Sequence, residues 1–124
     1  IRAGHTPLAL TQNESVRFIA PRGIALGLAS PSIFNINLEY FTTQLNNNDI
    51  CLLYSDGLSE LLNSNNIEFG EERIKDIISA NQIVRAQDII DNAINDINNF
   101  KSNNKLRDDL TIVSLIYKEK NERN

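Results

Sequence analysis

The spacing of hydrophobic and polar residues places strands in the first half of the chain. Short apolar segments at residues 8–11 and 15–20 flank polar residues at 12–14, which is the pattern of a β-hairpin. Residues 34–43 begin with alternating apolar and polar side chains and predict a half-buried strand. Residues 50–55 form a short apolar segment, which predicts a central strand that is buried on both faces.

The second half of the chain has helical spacing until a last strand. Glu71 and Glu72 stand where a first helical turn favours acidic side chains, and Asn81 is a plausible end for that helix. Residues 86–100 predict a second helix with apolar residues on one face and acids and amides on the other. Residues 108–117 predict a final strand. Strands grouped in this way predict an α+β fold with mostly antiparallel pairing.

Charge and length limit the classes of function. The chain has 124 residues, a formal net charge of −4 and a pI of about 4.9, so nucleic acid is not an expected partner. The apolar segments are shorter than a membrane span requires. The chain begins with IRAGH and without an initiator Met or a leader, so we expect it to be a piece of a larger protein.

The chain lacks the residues that most catalytic chemistries need. There is one histidine, His5, and one cysteine, Cys51, which lies in the apolar segment. There is no Walker loop and no thiolate or imidazole cluster for zinc. A single cysteine cannot form a disulfide within the chain, so a reducing, cytoplasmic location is allowed, with a membrane anchor possible in the parent protein.

Carboxylates remain as candidates for chemistry. Asp56 ends the central strand, and Asp108 and Asp109 begin the last one. If these strands are neighbours and their ends coincide, three carboxylates meet at one edge of the sheet. Hard oxygen ligands of this kind suit Mg²⁺ or Mn²⁺. Asp-Gly after a strand is also ordinary turn chemistry, and Asp-Asp before a strand is a common solvated cap, so both interpretations stay open at this point.

Five segments, in order, resemble one family. The chain looks like the C-terminal part of a bacterial PPM-type (PP2C-like) serine/threonine phosphatase of the stage II sporulation and sigma-factor-regulator class. The segments are AGHTPLAL at 3–10, GIALGL at 23–28, DICLLYSDGLSELLN at 49–63, FGEERI at 69–74 and DDLTIVSL at 108–115.

The resemblance implies a fold and a division of the chain. The family fold is an α-β-β-α sandwich of antiparallel sheets with flanking helices and a two-metal site at one end. Residues 1–118 are then the C-terminal part of the phosphatase domain, whose N-terminal part is absent, and residues 119–124 are a solvated tail. The family places further metal-binding acids on strands that precede the AGH segment, so this chain supplies only some of the ligands.

The resemblance also implies roles for individual residues. Asp56, in Tyr-Ser-Asp-Gly, and Asp108, the first acid of Asp-Asp-Leu-Thr, match metal ligands, and Asp109 matches a secondary ligand. Three neighbours are implied to support the site: Gly57 by permitting a tight turn, Ser55 and Thr111 by hydrogen bonds.

The implied reaction is hydrolysis of phosphoserine or phosphothreonine in a regulatory protein, such as a phosphorylated anti-sigma-factor antagonist. Two Mn²⁺ or Mg²⁺ ions in the complete domain would activate a water for in-line attack on phosphorus. No covalent phosphoenzyme is required, which agrees with the absence of a cysteine-phosphatase motif. A sensor domain upstream in the parent protein is implied as well.

Two other hypotheses belong to different classes. In the first hypothesis, the chain is a degenerate phosphatase or a fragment that acts as a non-catalytic protein-interaction module. In the second, it is an unrelated small α+β domain whose acidic residues only form turns. In the absence of the other half of the domain, an exposed apolar sheet face is expected to favour a dimer. Asp56 and Asp108 at opposite ends of the fold would exclude the metal-site interpretation.

Overall fold

Four strands and four helices follow one another in the computed structural model, which describes residues 1–79, 84–102 and 104–119. None of the helices in these ranges is long and apolar enough to cross a membrane. The elements are β1 Leu8–Gln12, β2 Ser15–Ile19, α1 Pro31–Ile36, β3 Ile50–Tyr54, α2 Asp56–Ser59, α3 Gly70–Ser79, α4 Ala86–Lys101 and β4 Ile112–Ile116.

The strands form one antiparallel sheet in the order β2-β1-β3-β4. The predicted hairpin is confirmed: β1 and β2 pair from Leu8 opposite Ile19 to Gln12 opposite Ser15. Asn13 and Glu14 both have positive φ, at 51° and 61°, which matches the twist that a two-residue hairpin turn requires. The prediction of an α+β fold with antiparallel pairing is therefore confirmed.

Helices cover one face of this sheet and create the core. The aromatic ring of Phe69 packs edge-on against that of Phe100, with 5.1 Å between the ring centroids. The core consists of side chains from β1, β3, the segment after β3 and the two long helices. Its most deeply buried members are Ala9, Leu52, Tyr54, Leu58, Phe69, Ile74, Ile77, Ile78, Ile89 and Ala93.

The opposite face of the sheet is largely uncovered along β3 and β4. Leu52 is 0% exposed, whereas its neighbour Leu53 is 38% exposed. Val113, which pairs with Leu53, is 46% exposed and Leu115 is 54% exposed. The prediction that β3 is buried on both faces is therefore wrong, because helices pack on one face only. We call Leu53, Val113 and Leu115 the open sheet face.

The prediction of a strand over residues 34–43 is also wrong. Helix α1 occupies the start of this segment, and Pro31 stands at its first turn, where the fixed φ of proline favours a helix. Ile36 and Tyr40 are 82% and 73% exposed, so the alternating pattern does not reflect burial against a core. Residues 37–43 contain no strand and pair with none of the four strands.

The two long helices agree with their predicted positions. Helix α3 carries Glu71 and Glu72 in its first turn, and α4 spans the predicted 86–100 segment with one further residue. The predicted helix end at Asn81 lies outside the described residues, as does most of the predicted tail at 119–124. Strand β4 begins at Ile112, four residues later than predicted.

Tyr54 should make the stability of the fold sensitive to alkaline pH. Its hydroxyl group is buried and has no hydrogen-bond partner among the described residues. Burial, and then the Glu71 carboxylate, raise the pKa of Tyr54 to about 12. The unfolded chain releases this proton at about pH 10, so stability is fully present below that pH and is lost as the pH rises from about 10 towards 12.

The test compares wild type with Tyr54→Phe by urea denaturation at pH 7 and pH 11. Phenylalanine cannot ionise, so the variant should lose less stability than wild type between the two pH values. At pH 7 the two should be similar, because the hydroxyl group has no hydrogen-bond partner in residues 1–79, 84–102 and 104–119 that the substitution would remove. Equal losses in both proteins would show that other groups cause the alkaline destabilisation.

Candidate metal centre

The ends of β3 and β4 are fastened together by one serine. The Ser55 backbone N–H donates to the Thr111 carbonyl at 3.0 Å. The Ser55 Oγ accepts a hydrogen bond from the Thr111 N–H at 3.0 Å and donates to the Asp109 carbonyl at 3.1 Å. These contacts continue the strand pairing, which ends at Tyr54 opposite Ile112, by one further residue. These hydrogen bonds place the two acidic segments side by side. We call the three hydrogen bonds of Ser55 the Ser55 clasp.

The acidic residues lie just beyond the strands and not within them. Asp56 is the first residue of α2, two positions after the end of β3. Asp108 and Asp109 lie in the bend before β4. The prediction that Asp56 ends one strand and Asp108 begins another is corrected to this extent. Because β3 and β4 are antiparallel neighbours, the three residues still share one edge of the sheet.

Gly57 brings the two segments into van der Waals contact. A Cβ atom at this position would overlap the Asp109 carbonyl oxygen. Gly57 has no positive φ, so its requirement is space and not an unusual backbone conformation. The resemblance implied a turn-forming role for this glycine, whereas the geometry requires it for the close approach of Asp109.

The carboxylates of the site face solvent. Asp56, Asp108 and Asp109 are all exposed. Asp56 Oδ1 accepts a hydrogen bond from the Gly57 N–H at 3.0 Å, and Asp108 Oδ1 accepts one from the Asp109 N–H at 2.8 Å. None of the three forms a salt bridge within the described ranges. Their remaining oxygen atoms therefore stay accessible to a cation.

The donor set suits a hard cation in kind but is incomplete in number. Carboxylate oxygens on neighbouring chain segments are the ligands that Mg²⁺ and Mn²⁺ prefer. Over residues 1–79, 84–102 and 104–119, no three or more His, Cys, Asp or Glu side chains are grouped so that they could hold a metal ion. The two acidic chain segments meet at one edge of the sheet, as predicted. Within these ranges, however, the three carboxylates do not form a closed set of metal ligands.

The AGHT segment is attached directly to this edge. Thr6 Oγ1 donates a hydrogen bond to the Tyr54 carbonyl, at the end of β3. Thr6 Oγ1 also lies 3.1 Å from His5 Nδ1, so the histidine is an exposed neighbour of Thr6. From the sequence, this segment was identified only as one that resembles the family, and Thr6 was not singled out. Serine and threonine are ordinary turn residues, so a single threonine in a turn does not stand out in the sequence.

Two glycines explain how the first residues and residues 21–28 fit together. A Cβ atom on Gly23 would overlap the Arg2 carbonyl oxygen, so the glycine permits a close approach of the two backbones. Gly27 has a φ of +83° and no atom within 4 Å of an added Cβ, so its role is conformational. Arg2 adds hydrogen bonds from its Nη1 to the His5 carbonyl at 2.7 Å and from its Nε to the Pro21 carbonyl at 3.1 Å.

Comparison with known proteins settles the family. Residues 1–118 match the family model of stage II sporulation protein E (SpoIIE). The chain belongs to the SpoIIE family. Its mixed helices and antiparallel sheet match PP2C phosphatase domains, which confirms the resemblance stated above and makes this part of a SpoIIE-type, PP2C-like phosphatase domain.

Solved structures support this fold at low sequence identity. The phosphatase domain of SpoIIE from Bacillus subtilis, from a crystal presoaked with Mn, is 20% identical with a TM-score of 0.69, over 98% of this chain and 50% of that one. The SiaA-PP2C domain of Pseudomonas aeruginosa is 18% identical with a TM-score of 0.74, over 91% of this chain and 44% of that one. The chain thus spans about half of the length of these domains. Among curated proteins, none matches significantly.

Proposed function

We propose that this chain contributes the Asp56–Asp108 edge to a metal-dependent phosphatase that hydrolyses phosphoserine or phosphothreonine in a regulatory protein. The observation that carries this proposal is the Ser55 clasp, which brings two acidic segments from distant parts of a SpoIIE-family chain to one edge of the sheet. The proposal concerns the whole domain, because the chain spans about half of the matched structures.

Asp56 and Asp108 are the residues that would hold the cations, with Asp109 as a secondary ligand. Mn²⁺ or Mg²⁺, bound as a pair in the complete domain, would supply a nucleophilic water at neutral pH and offset the charge of the phosphoryl oxygens. The role of this chain is to hold two carboxylates at fixed positions. Ser55 fixes the spacing of their backbones, and Gly57 allows the segments to touch.

Cys51 is poorly placed to act as a nucleophile. Cys51 lies within β3, and burial, and then the Asp49 carboxylate, raise the pKa of its thiol, so the thiol stays protonated at neutral pH. His5 is exposed and contacts Thr6. Hydrolysis by an activated water without a covalent intermediate therefore fits these residues best.

The wider context of the proposal is regulatory signalling. A phosphorylated protein such as an anti-sigma-factor antagonist is the proposed substrate, and a sensor domain elsewhere in the parent protein is the proposed source of control. The proposed location is the cytoplasm, with a membrane anchor in the parent protein as an option. These proposals come from the family resemblance, and the acidic net charge of −4 is compatible with a protein partner.

A second candidate function is a non-catalytic interaction module. It is favoured by the incomplete donor set within the described ranges and by the open sheet face, whose exposed leucine and valine side chains invite contact with another surface, including a second copy. The two functions differ in one measurable respect, since only the phosphatase needs a cation at Asp56 and Asp108.

A thermal melt with and without Mn²⁺ tests the proposed function. A cation at ten times its dissociation constant stabilises the folded state by about 1.4 kcal/mol. For a domain of this size, the midpoint should rise by roughly 5 °C. Asp56→Asn and Asp108→Asn should each abolish the rise, because each removes one charged ligand.

Asp96→Asn is the matched control, since Asp96 is an exposed acid on α4, outside the acidic edge. It should retain the full Mn²⁺-dependent rise. A rise that persists in Asp56→Asn and Asp108→Asn would place the cation elsewhere and contradict the proposal. The absence of any rise in wild type would mean that the ligands of this chain alone do not hold the cation, and the melt would then be repeated with the rest of the domain present.

A further inference from the structure

An open groove of about 660 Å³ runs beside the acidic edge. Gly57 and Asp108 belong to both the groove and the candidate metal centre. One wall is formed by residues 57–68, which follow β3, and the other by residues 104–108, which precede β4. Any chain that presents a phosphorylated side chain to Asp56 and Asp108 from this side would have to pass through the groove.

The two walls carry opposite charges. Besides the candidate ligand Asp108 at the end of the second wall, Glu60 and Glu68 lie on the first wall, and Lys105 and Arg107 lie on the second. All four are exposed, and none of them forms a salt bridge within the described ranges. The charged groups are therefore available to a bound molecule and are not already neutralised by each other.

The rest of the lining indicates what kind of molecule fits. Ser64, Asn66 and Asn104 supply hydrogen-bonding groups, and the Asn104 Nδ2 lies 3.5 Å from the Leu62 carbonyl, where the two walls approach. Small-molecule sites are usually enclosed and mostly apolar. An open, polar groove with hydrogen-bonding groups along its length suits an extended polypeptide better, since a peptide backbone offers donors and acceptors along its length.

We propose that this groove binds the polypeptide next to the phosphorylated residue, and that Lys105 and Arg107 select substrates with acidic side chains there. The inference rests on the proposed function for its phosphorylated residue, but the positive charges of Lys105 and Arg107 are present with or without a metal ion. Arg107 directly precedes Asp108, so the cationic wall begins at the acidic edge itself. Guanidinium groups bind carboxylates through paired hydrogen bonds, which makes Arg107 the stronger of the two selectors.

The net charge of the chain provides a sharp contrast. At −4, general electrostatic attraction would favour a basic peptide over an acidic one. A preference for an acidic peptide would therefore report the local cationic wall and not the protein as a whole.

The test measures binding of two fluorescent peptides by anisotropy, in EDTA and at low ionic strength. Both carry an unphosphorylated serine at the centre, flanked in one by aspartates and in the other by lysines. Wild type should bind the aspartate peptide more tightly by about 5–10-fold, a size typical of exposed charge pairs at an interface. The double variant Lys105→Glu/Arg107→Glu should lose or reverse this preference.

The control is Arg22→Glu/Lys75→Glu, which changes the net charge equally at exposed positions outside the groove. It should keep the preference of wild type. A wild type without preference, or an equal loss in the control, would overturn the proposal. Because the assay contains neither a cation nor a phosphate group, a negative Mn²⁺ melt would count against the phosphatase alone, and a negative peptide result against the groove alone.

Discussion

Replacing Leu52 with alanine is expected to lower the free energy of unfolding by about 2–5 kcal/mol. Leu52 is 0% exposed and lies in the middle of β3, which is flanked by β1 on one side and β4 on the other. Its side chain belongs to the core cluster under α3 and α4, so truncation leaves a cavity that the surrounding helices and strands fill only in part. Urea denaturation, followed by far-UV circular dichroism, measures the loss.

Leu53→Ala is the matched control, because it makes the same chemical change one residue later on the opposite face. Leu53 is 38% exposed, so its truncation should cost about 1 kcal/mol or less. A loss as large as that of Leu52→Ala would mean that the open sheet face is covered in solution. Repeating the measurement at two protein concentrations would then show whether a second copy covers it, since the stability of a dimer rises with concentration.

Replacing Gly57 with alanine is the second large effect, at about 1–3 kcal/mol of destabilisation. Glycine within a helix is normally less stable than alanine by roughly 0.5–1 kcal/mol, so propensity alone predicts the opposite sign. The new methyl group would overlap the Asp109 carbonyl oxygen, which is backbone and cannot rotate away. The segment before β4 should therefore separate from α2, and both the melting midpoint and the Mn²⁺-dependent rise should fall.

Ser59→Ala controls for a change to alanine in the same short helix. Its Oγ donates only a local hydrogen bond, to the Asp56 carbonyl at 3.3 Å, so the expected cost is within about 1 kcal/mol. Retention of the Mn²⁺ response in Ser59→Ala and its loss in Gly57→Ala would attribute the effect to the contact with Asp109. A Gly57→Ala protein that is more stable than wild type would contradict this geometry.

Local patterns predicted the elements that local physics determines. The hairpin at 8–20 and the helix at 86–100 were found because turn chemistry and helical periodicity act over a few residues. The strand prediction for residues 34–43 failed because alternation indicates a strand only when the segment pairs with a neighbouring strand, and this segment pairs with none of the four. The prediction that β3 is buried on both faces failed for a related reason. An apolar segment does not reveal whether other elements cover one face of the strand or both.

The candidate site was predictable in position but not in detail. Asp56, Asp108 and their neighbours were identified through five ordered segments that resemble one family, and not through periodicity. The Ser55 clasp and the contact of Gly57 with Asp109 depend on the register of β3 and β4, which is decided by pairing across some 50 intervening residues. Lys105 and Arg107 gained significance only when the structure placed them opposite Glu60 and Glu68.

The pairing of β3 with β4 also determines when the acidic edge forms during folding. The β1–β2 hairpin closes over a two-residue turn, which takes microseconds in typical hairpins. Ser55 and Thr111 are 56 residues apart in sequence, so the contact between them closes a long loop that contains α2, α3 and α4. Such long-range closure is slow and loses the most chain entropy. An intermediate that contains the hairpin and helices but has not paired the last strand therefore holds Asp56, Asp108 and Asp109 without an acidic edge. The proposed cation binding would then report completion of the fold.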